Sequence, residues 1–282
     1  MIELGASRYG KAAIHLVRVA RDPAGHRVRD LTLAIALEGD FERSYTDGDN
    51  SLVIATDTMK NTAYAFAKDH LGGSIEDYGR ALAEHFLEFR QVDRATVSMR
   101  SHEWLAIDVA GSPAVDAFVR GGEGTRVATV SATPGGTTVQ AGIEDLVVLK
   151  TTRSGFTGFP RDRYTTLPET DDRLMATRLT AVWRYGSPDV DADLTFEAVR
   201  STLLEVFADH DSPSVQASIW IMAREILRRH DEIDEVRMVL PNLHHWLADL
   251  APFGLANEGE VYISTTEPHG LIEATVRRGE EA

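Results

Sequence analysis

The sequence predicts an α+β protein of two tandem units, each a four-stranded antiparallel sheet with two helices on one face. Three observations predict it. The order strand, strand, helix, helix, strand, strand is read twice along the 282 residues. The helices carry apolar residues at three- and four-residue spacing, so each has one buried face. Thr133-Pro134-Gly135-Gly136 is a turn-forming cluster near the middle, and it divides the chain into 1–135 and 136–282. A sheet covered on one face leaves its other face and its edges in need of partners.

The elements follow in order. Ile14-His15-Leu16-Val17-Arg18-Val19 reads as the first strand, entered from Arg8-Tyr9-Gly10-Lys11. Leu31–Leu37 alternates apolar and small residues, the period of a half-buried strand. Acidic, turn-rich residues 38–50 lead to a short apolar run, 51–55. Thr56 and Asp57 then open a helix to about Lys68, with an N-cap role for one of them and Gly72-Gly73 as the stop. Ser74-Ile75-Glu76-Asp77 has the form of a capping box, and Ile75, Tyr78, Leu82, Phe86 and Phe89 give the next helix its stripe. Strands are expected at 92–100, 103–109 and 125–132. The second half brings strands at 137–150 and 176–185. A helix follows from about Leu194, with Phe196, Val199, Leu203 and Val206 on one face. Ser212-Pro213 starts another, proline suiting a first helical position, with the stripe Val215, Ile219, Met222 and Ile226. Strands close the chain at Glu235–Leu240, Glu260–Ser264 and Leu271–Val276.

Composition narrows the functional classes. The hydrophobic fraction is 43% and the charged fraction 26%, as in globular proteins. No apolar run reaches the ~18 residues of a membrane span. The N-terminal MIELGASRYGK lacks a charged-then-apolar export pattern. Cysteine is absent, which removes disulfides and thiolate ligands. With 29 basic against 44 acidic residues the net charge is −15, a poor match to nucleic acid. An acidic chain must bind an anion through locally placed cations, so each cation in a binding segment is informative.

The most informative stretch is Leu146–Arg173, LVVLKTTRSGFTGFPRDRYTTLPETDDR. An apolar quartet precedes Lys150, small hydroxyl residues, Phe156, Phe159, Tyr164, Leu167 and Arg173. This spacing resembles the signature of the urate oxidases (uricases). Further segments are similar to that family: Arg8–Lys11, Ala55–Thr62, Ser214–Ala217 and Leu240–His244. The resemblance implies the tunnelling fold, in which units from different subunits pair edge to edge into a barrel. It also implies a homotetramer with active sites at subunit interfaces. The reaction implied is oxidation of urate by O2 and water to 5-hydroxyisourate and hydrogen peroxide, with no cofactor and no metal.

The physical demands of such a site can be set out independently. Urate is a flat purine anion. It needs a ring to stack on, a planar cation and an amide that both donates and accepts. Phe156 can stack, Arg173 can give two parallel hydrogen bonds, and Gln216 can serve a second edge from a helix N-terminus. The chain has no glycine-rich dinucleotide loop after a strand. His244 and His245 are adjacent, so on an extended segment they point opposite ways and cannot share a metal. The resemblance assigns a proton relay to Lys11, Thr56 and His244, and the holding of dioxygen and then water to Asn242. It assigns substrate contact to the Val215 backbone, and to Thr56 and Asp57 of a neighbouring subunit.

Taken singly, these residues have plainer readings. Lys11 would be a solvated lysine, and Arg173 beside Asp171 and Asp172 a surface ion pair. Gln216 would face solvent, Asn242 would be a turn residue, and His244 a structural histidine. Phe159 is expected in the core. Two other functions compete: a tunnelling-fold enzyme acting on pterins or related purines, and a purine-binding protein without catalysis. Several of the former need zinc, against which the lack of cysteine and of clustered histidine spacing counts. Departures from the family pattern are Leu243 in place of lysine, a poorly matched stretch 102–120, and Pro160 after Phe159. The C-terminal tripeptide is not Ser-Lys-Leu, which gives a cytoplasmic expectation.

Overall fold

A computed structural model describes residues 2–279. The terminal residues behind the localisation expectation lie outside the described residues. One compact unit comprises the chain up to Gly142 with Arg184–Phe196; the other comprises Ile143–Trp183 and the chain from Glu197.

The first unit contains β1 (Tyr9–Ala20), β2 (Arg27–Gly39), α1 (Glu42–Thr46), α2 (Thr56–His70), α3 (Ile75–Leu87), β3 (Val92–Ser101), β4 (Trp104–Val109), β5 (Ser112–Arg120) and β6 (Thr125–Thr133). β7 (Gly136–Lys150) begins in it, after the turn that Thr133–Gly136 forms. The strands lie in the order β1-β2-β3-β6-β7, and the first three pairs are antiparallel. Leu31, Leu33, Ile35 and Leu37 of β2 are all fully buried while their neighbours are less so, as the alternation predicts. α2 packs on β1, and α3 on β3 and β6. Ser74 caps α3, accepting from the Asp77 N–H at 3.0 Å, while the Asp77 carboxylate takes the Ser74 hydroxyl at 2.7 Å and not its backbone N–H as in a full capping box.

The second unit contains the rest of β7, most of β8 (Met175–Tyr185) and of α4 (Ala192–Asp209), then α5 (Val215–Arg229), β9 (Ile233–Leu247), β10 (Tyr262–Thr265) and β11 (Leu271–Arg277). β7, β8 and β9 are consecutive neighbours, and both β10 and β11 pair with β9. α5 packs on β9 and β11 through Ile219, Met222 and Ile226, the expected stripe.

Several boundaries differ from expectation. Thr56 is the first residue of α2 and Ala55 holds the cap position, so neither Thr56 nor Asp57 caps the helix. α5 starts at Val215, because the extended Ser214 accepts from the Ala217 N–H and so closes the helix start after Pro213. α3 stops before Phe89, which is part-exposed. The 102–120 stretch forms a β4–β5 hairpin, a two-stranded sheet of its own. β9 runs on to Leu247, so Asn242 and His244 are strand residues rather than turn residues.

A buried arginine locks the first unit. Arg126 on β6 donates to Glu76 at 2.7 Å and to Asp193 at 2.6 Å, and lies 4.6 Å above the Phe196 ring. Asp193 also takes Arg29 at 2.9 Å. Glu76 and Asp193 sit in the first turns of α3 and α4, where helix dipoles favour carboxylates. Burial still pushes the Glu76 carboxyl up against the pull of Arg126. Replacing Arg126 by Met strands the buried Glu76 carboxylate and leaves Asp193 with Arg29 alone, and should lower unfolding free energy by about 3–5 kcal/mol in urea titration.

Candidate functional site

The signature segment is held by the end of α4. Lys150, the last residue of β7, is buried, and its ammonium donates to the carbonyl of His210. Burial pulls the Lys150 pKa down. Arg153 donates to the carbonyls of Ala208 and, at 2.8 Å, Asp209. The last carbonyls of a helix have no partner within it and carry the negative end of its dipole, so two cations satisfy them. The linker to α5 then runs along the signature. Ser212 N–H donates to Arg153 at 2.8 Å, and Gly155 N–H to Ser212 at 2.9 Å. Phe156 and Thr170 exchange backbone hydrogen bonds of 2.7 and 3.2 Å. A side chain at Gly155 would press on the Asp171 carbonyl at 3.0 Å.

These ties form a cleft of about 660 Å³ within the second unit. Phe156, Arg173, Val215, Gln216, Asn242 and His244 all line it. The sequence singled out all six. The Arg173 guanidinium lies 5.4 Å from the Phe156 ring centroid, and its buried Nε has no hydrogen-bond partner. The ion pair open to it in sequence does not form. Asp172 instead accepts from Thr152 at 2.6 Å and from the Ser154 N–H at 3.2 Å. Burial alone lowers the Arg173 pKa. Gln216 is exposed in the first turn of α5, where helix geometry leaves its N–H and that of Val215 without intrahelical partners. Asn242 and His244 share one face of β9, with Nδ2 and Nδ1 3.5 Å apart. Burial first, then the Arg173 charge, holds His244 below the usual histidine range, so the neutral proton-accepting ring is favoured.

Phe159 is not core. It is half-buried and stacks on Phe156 at 4.9 Å and 13°, fixing that ring. Trp246 was not singled out by the sequence. It stacks on His244 at 5.3 Å, and only the two-residue period of a strand extended to Leu247 could have linked them.

Lys11, Thr56 and Asp57 belong to the first unit, and a backbone irregularity explains Lys11. Lys11 pairs with Ile35 and Ile14 with Leu33, so β1 spends one residue more than β2 there. Ala13 takes a φ of 54°, the bulge conformation. Opposed residues share a face, so the bulge turns Lys11 to the helix side occupied by Ile35 and Leu33. Without it, Lys11 and Ile14 would point oppositely. Tyr9, on the same side, accepts from the Ile54 N–H at 2.8 Å and so ties β1 to the start of α2. Asp57 receives Lys60 at 2.5 Å and Asn61 at 3.0 Å, with Lys11 adding its field; together they hold the carboxyl below its usual range.

Fold and cleft define a class: an antiparallel α+β protein of two units, with an unpaired guanidinium, a stacking aromatic ring and a neutral histidine in one cleft. The sequence profile of the family described as Uricase matches residues 7–131 and 139–273. The chain is 44% identical to a uricase of Arthrobacter globiformis over 98% of this chain and 90% of that one. It is 38% identical to a uricase of Dictyostelium discoideum, over 99% and 98%. The crystal structure of the Arthrobacter globiformis uricase superposes with a TM-score of 0.94 at 42% identity, covering 100% of this chain and 97% of that one. The chain belongs to the uricase family, and its fold is the tunnelling fold.

Two outcomes follow from this geometry. A Cβ at Gly10 would lie 1.8 Å from the Ile35 carbonyl, so Gly10→Ala should force β1 and β2 apart beside Lys11. A loss of at least about 1–3 kcal/mol by chemical denaturation is expected. His102, His210, His230 and His244 are all held below 6.5, with burial as the largest cause. The unfolded chain therefore binds more protons than the native one below that pH. The stability these groups contribute is complete above about 6.5 and is lost as pH falls toward the folded values. The urea midpoint should be lower at pH 5.5 than at 7.5; an equal or higher midpoint at 5.5 contradicts this.

Proposed function

We propose that the chain oxidises urate with O2 and water to 5-hydroxyisourate and hydrogen peroxide. The observation that carries this reading is Arg173: a half-buried cation whose buried Nε has no hydrogen-bond partner among the described residues, beside an aromatic ring, in a chain of net charge −15. Leaving a buried guanidinium unpaired is costly, and a planar anion in the cleft would relieve that cost. Arg173 and Gln216 hold two edges of the purine, Phe156 stacks on its face, and the Val215 N–H donates to its rim. Asn242 holds dioxygen and later water above the ring.

Lys11 and Thr56 belong to a neighbouring subunit in this reading. Lys11 favours the ionised threonine oxygen by its charge, and His244 completes the relay by accepting and returning protons. The substrate supplies the electrons itself: two electrons and two protons leave urate for O2, giving hydrogen peroxide, and water adds to the oxidised ring. Asp57 contacts substrate from the same neighbouring subunit. The assembly is a homotetramer of chains built from domains 1–135 and 136–282, acting in the cytoplasm. Among the described residues no helix is long and apolar enough to cross a membrane.

Urate in air should lose its near-ultraviolet absorbance with matched oxygen consumption and peroxide release. Lys11→Ala and Thr56→Ala should each reduce kcat by about a hundredfold or more while changing urate affinity only a few-fold. Arg173→Gln should instead raise KM about tenfold or more, as loss of a charged hydrogen bond does. Peroxide-silent protein, or unchanged turnover in both relay variants, would overturn the assignment.

A further inference from the structure

We propose that His15, Asp30 and His102 form a binding site for one borderline divalent cation of the Zn2+, Ni2+ or Co2+ type. Each offers one ligand atom, and these atoms all lie within 4.8 Å of one another. They come from β1, β2 and the residue after β3, far apart in sequence, so no local spacing announces them. His15 pairs with Thr32 across the β1–β2 ladder and shares the face of Thr32 and Asp30, opposite to the one that buries Leu31 and Leu33. The bulge between Lys11 and Ile14 puts Lys11 on the other face of β1. The three residues are therefore outside the relay assigned above.

The cluster is already organised. His15 Nε2 lies 2.6 Å from Asp30 Oδ1. The other carboxylate oxygen accepts from Trp104 Nε1 at 2.9 Å and from Arg120 at 3.3 Å. The His102 ring meets the Thr32 hydroxyl at 2.8 Å, and its backbone N–H donates to the Asp30 carbonyl at 2.8 Å. Outer contacts of this kind fix the orientation of metal-binding carboxylates and imidazoles. Asp30 is 3% exposed, whereas the His15 side chain is 57% exposed, so the cluster is fixed on one side and open to solvent on the other. Two imidazoles and one carboxylate suit zinc and its neighbours and disfavour magnesium and calcium, which take oxygen ligands. To seat an ion at the usual tetrahedral bond lengths of about 2.0–2.2 Å, the 2.6 Å contact opens, and any separation approaching 4.8 Å closes, to about 3.4 Å. Arg120 opposes the ion by its charge, and this sets its place in the test.

Chelator-stripped protein is titrated with ZnCl2 by calorimetry and with CoCl2 by visible absorption. One ion per chain is expected, with a cobalt d–d band stronger than that of the aqueous ion. His15→Ala and His102→Ala should each weaken binding at least tenfold, and Arg120→Gln should tighten it. His15 is exposed enough that its replacement keeps the fold, checked by circular dichroism, so that variant decides alone if the other fails to fold. Absence of saturable binding by the wild-type protein, or equal binding by His15→Ala, overturns the site. Either result leaves the urate assays untouched, because those read other residues.

Discussion

Lys150 places its ammonium against the carbonyl of His210, just beyond the end of α4, and the cleft of the second unit depends on that contact. A buried lysine is costly unless its charge is met, and here the helix end meets it. Such a charged hydrogen bond contributes about 1.5–3 kcal/mol. Its structural effect is larger than its energy. It fixes β7 against the α4–α5 corner, and the signature segment leaves β7 at that point. His210 continues the chain of contacts. Its Nδ1 faces the Val206 carbonyl at 2.7 Å, which can only accept, so the proton sits there and Nε2 accepts from Ser218 at 2.7 Å. Ser218 meets Ser212 at 2.8 Å, and Ser214 caps α5. Gln216 is thus placed by a run of satisfied donors that begins at a lysine sixty-six positions earlier.

The cleft itself goes against the economy of the rest of the fold. Arg126 is met by Glu76 and Asp193, and Lys150 and Arg153 by the carbonyls at the end of α4. Arg173 has a buried Nε with no partner, and His244 is kept neutral by burial and by that same charge. Local rules are broken where a protein binds or reacts, and the surrounding fold supplies the stability that this costs. Phe159 and Trp246 show how the broken rule is supported: each stacks on a residue that faces the cleft and limits its movement.

The first unit reaches the same kind of placement by different means. One extra residue in β1 turns Lys11 toward α2, and the Tyr9 hydroxyl ties that strand to the backbone just before Thr56. The bulge also assigns Lys11 and His15 to opposite faces, although they are four residues apart and a regular strand would align them. One backbone irregularity therefore separates a proposed relay from a proposed cation site.

The sequence by itself determined what depends on near neighbours. The β2 alternation, the α5 stripe and the Ser74 cap are each encoded within a few residues, and each is present. The signature named Phe156 and Arg173, and the similar segments Ser214–Ala217 and Leu240–His244 named Val215, Gln216, Asn242 and His244, which all line the second-unit cleft. Tertiary structure alone decided the rest, because the deciding partner is remote in sequence. Thr56 proved to be a first helical residue and not a cap, in a helix whose approach Tyr9 secures from β1. Lys150 had a place in the signature but no role until α4 ended beside it. His15, Asp30 and His102 meet only because three strands align in one register. Periodicity and capping act over one or two turns of chain; bulges, strand register and buried charge pairing arise between segments that only folding brings together.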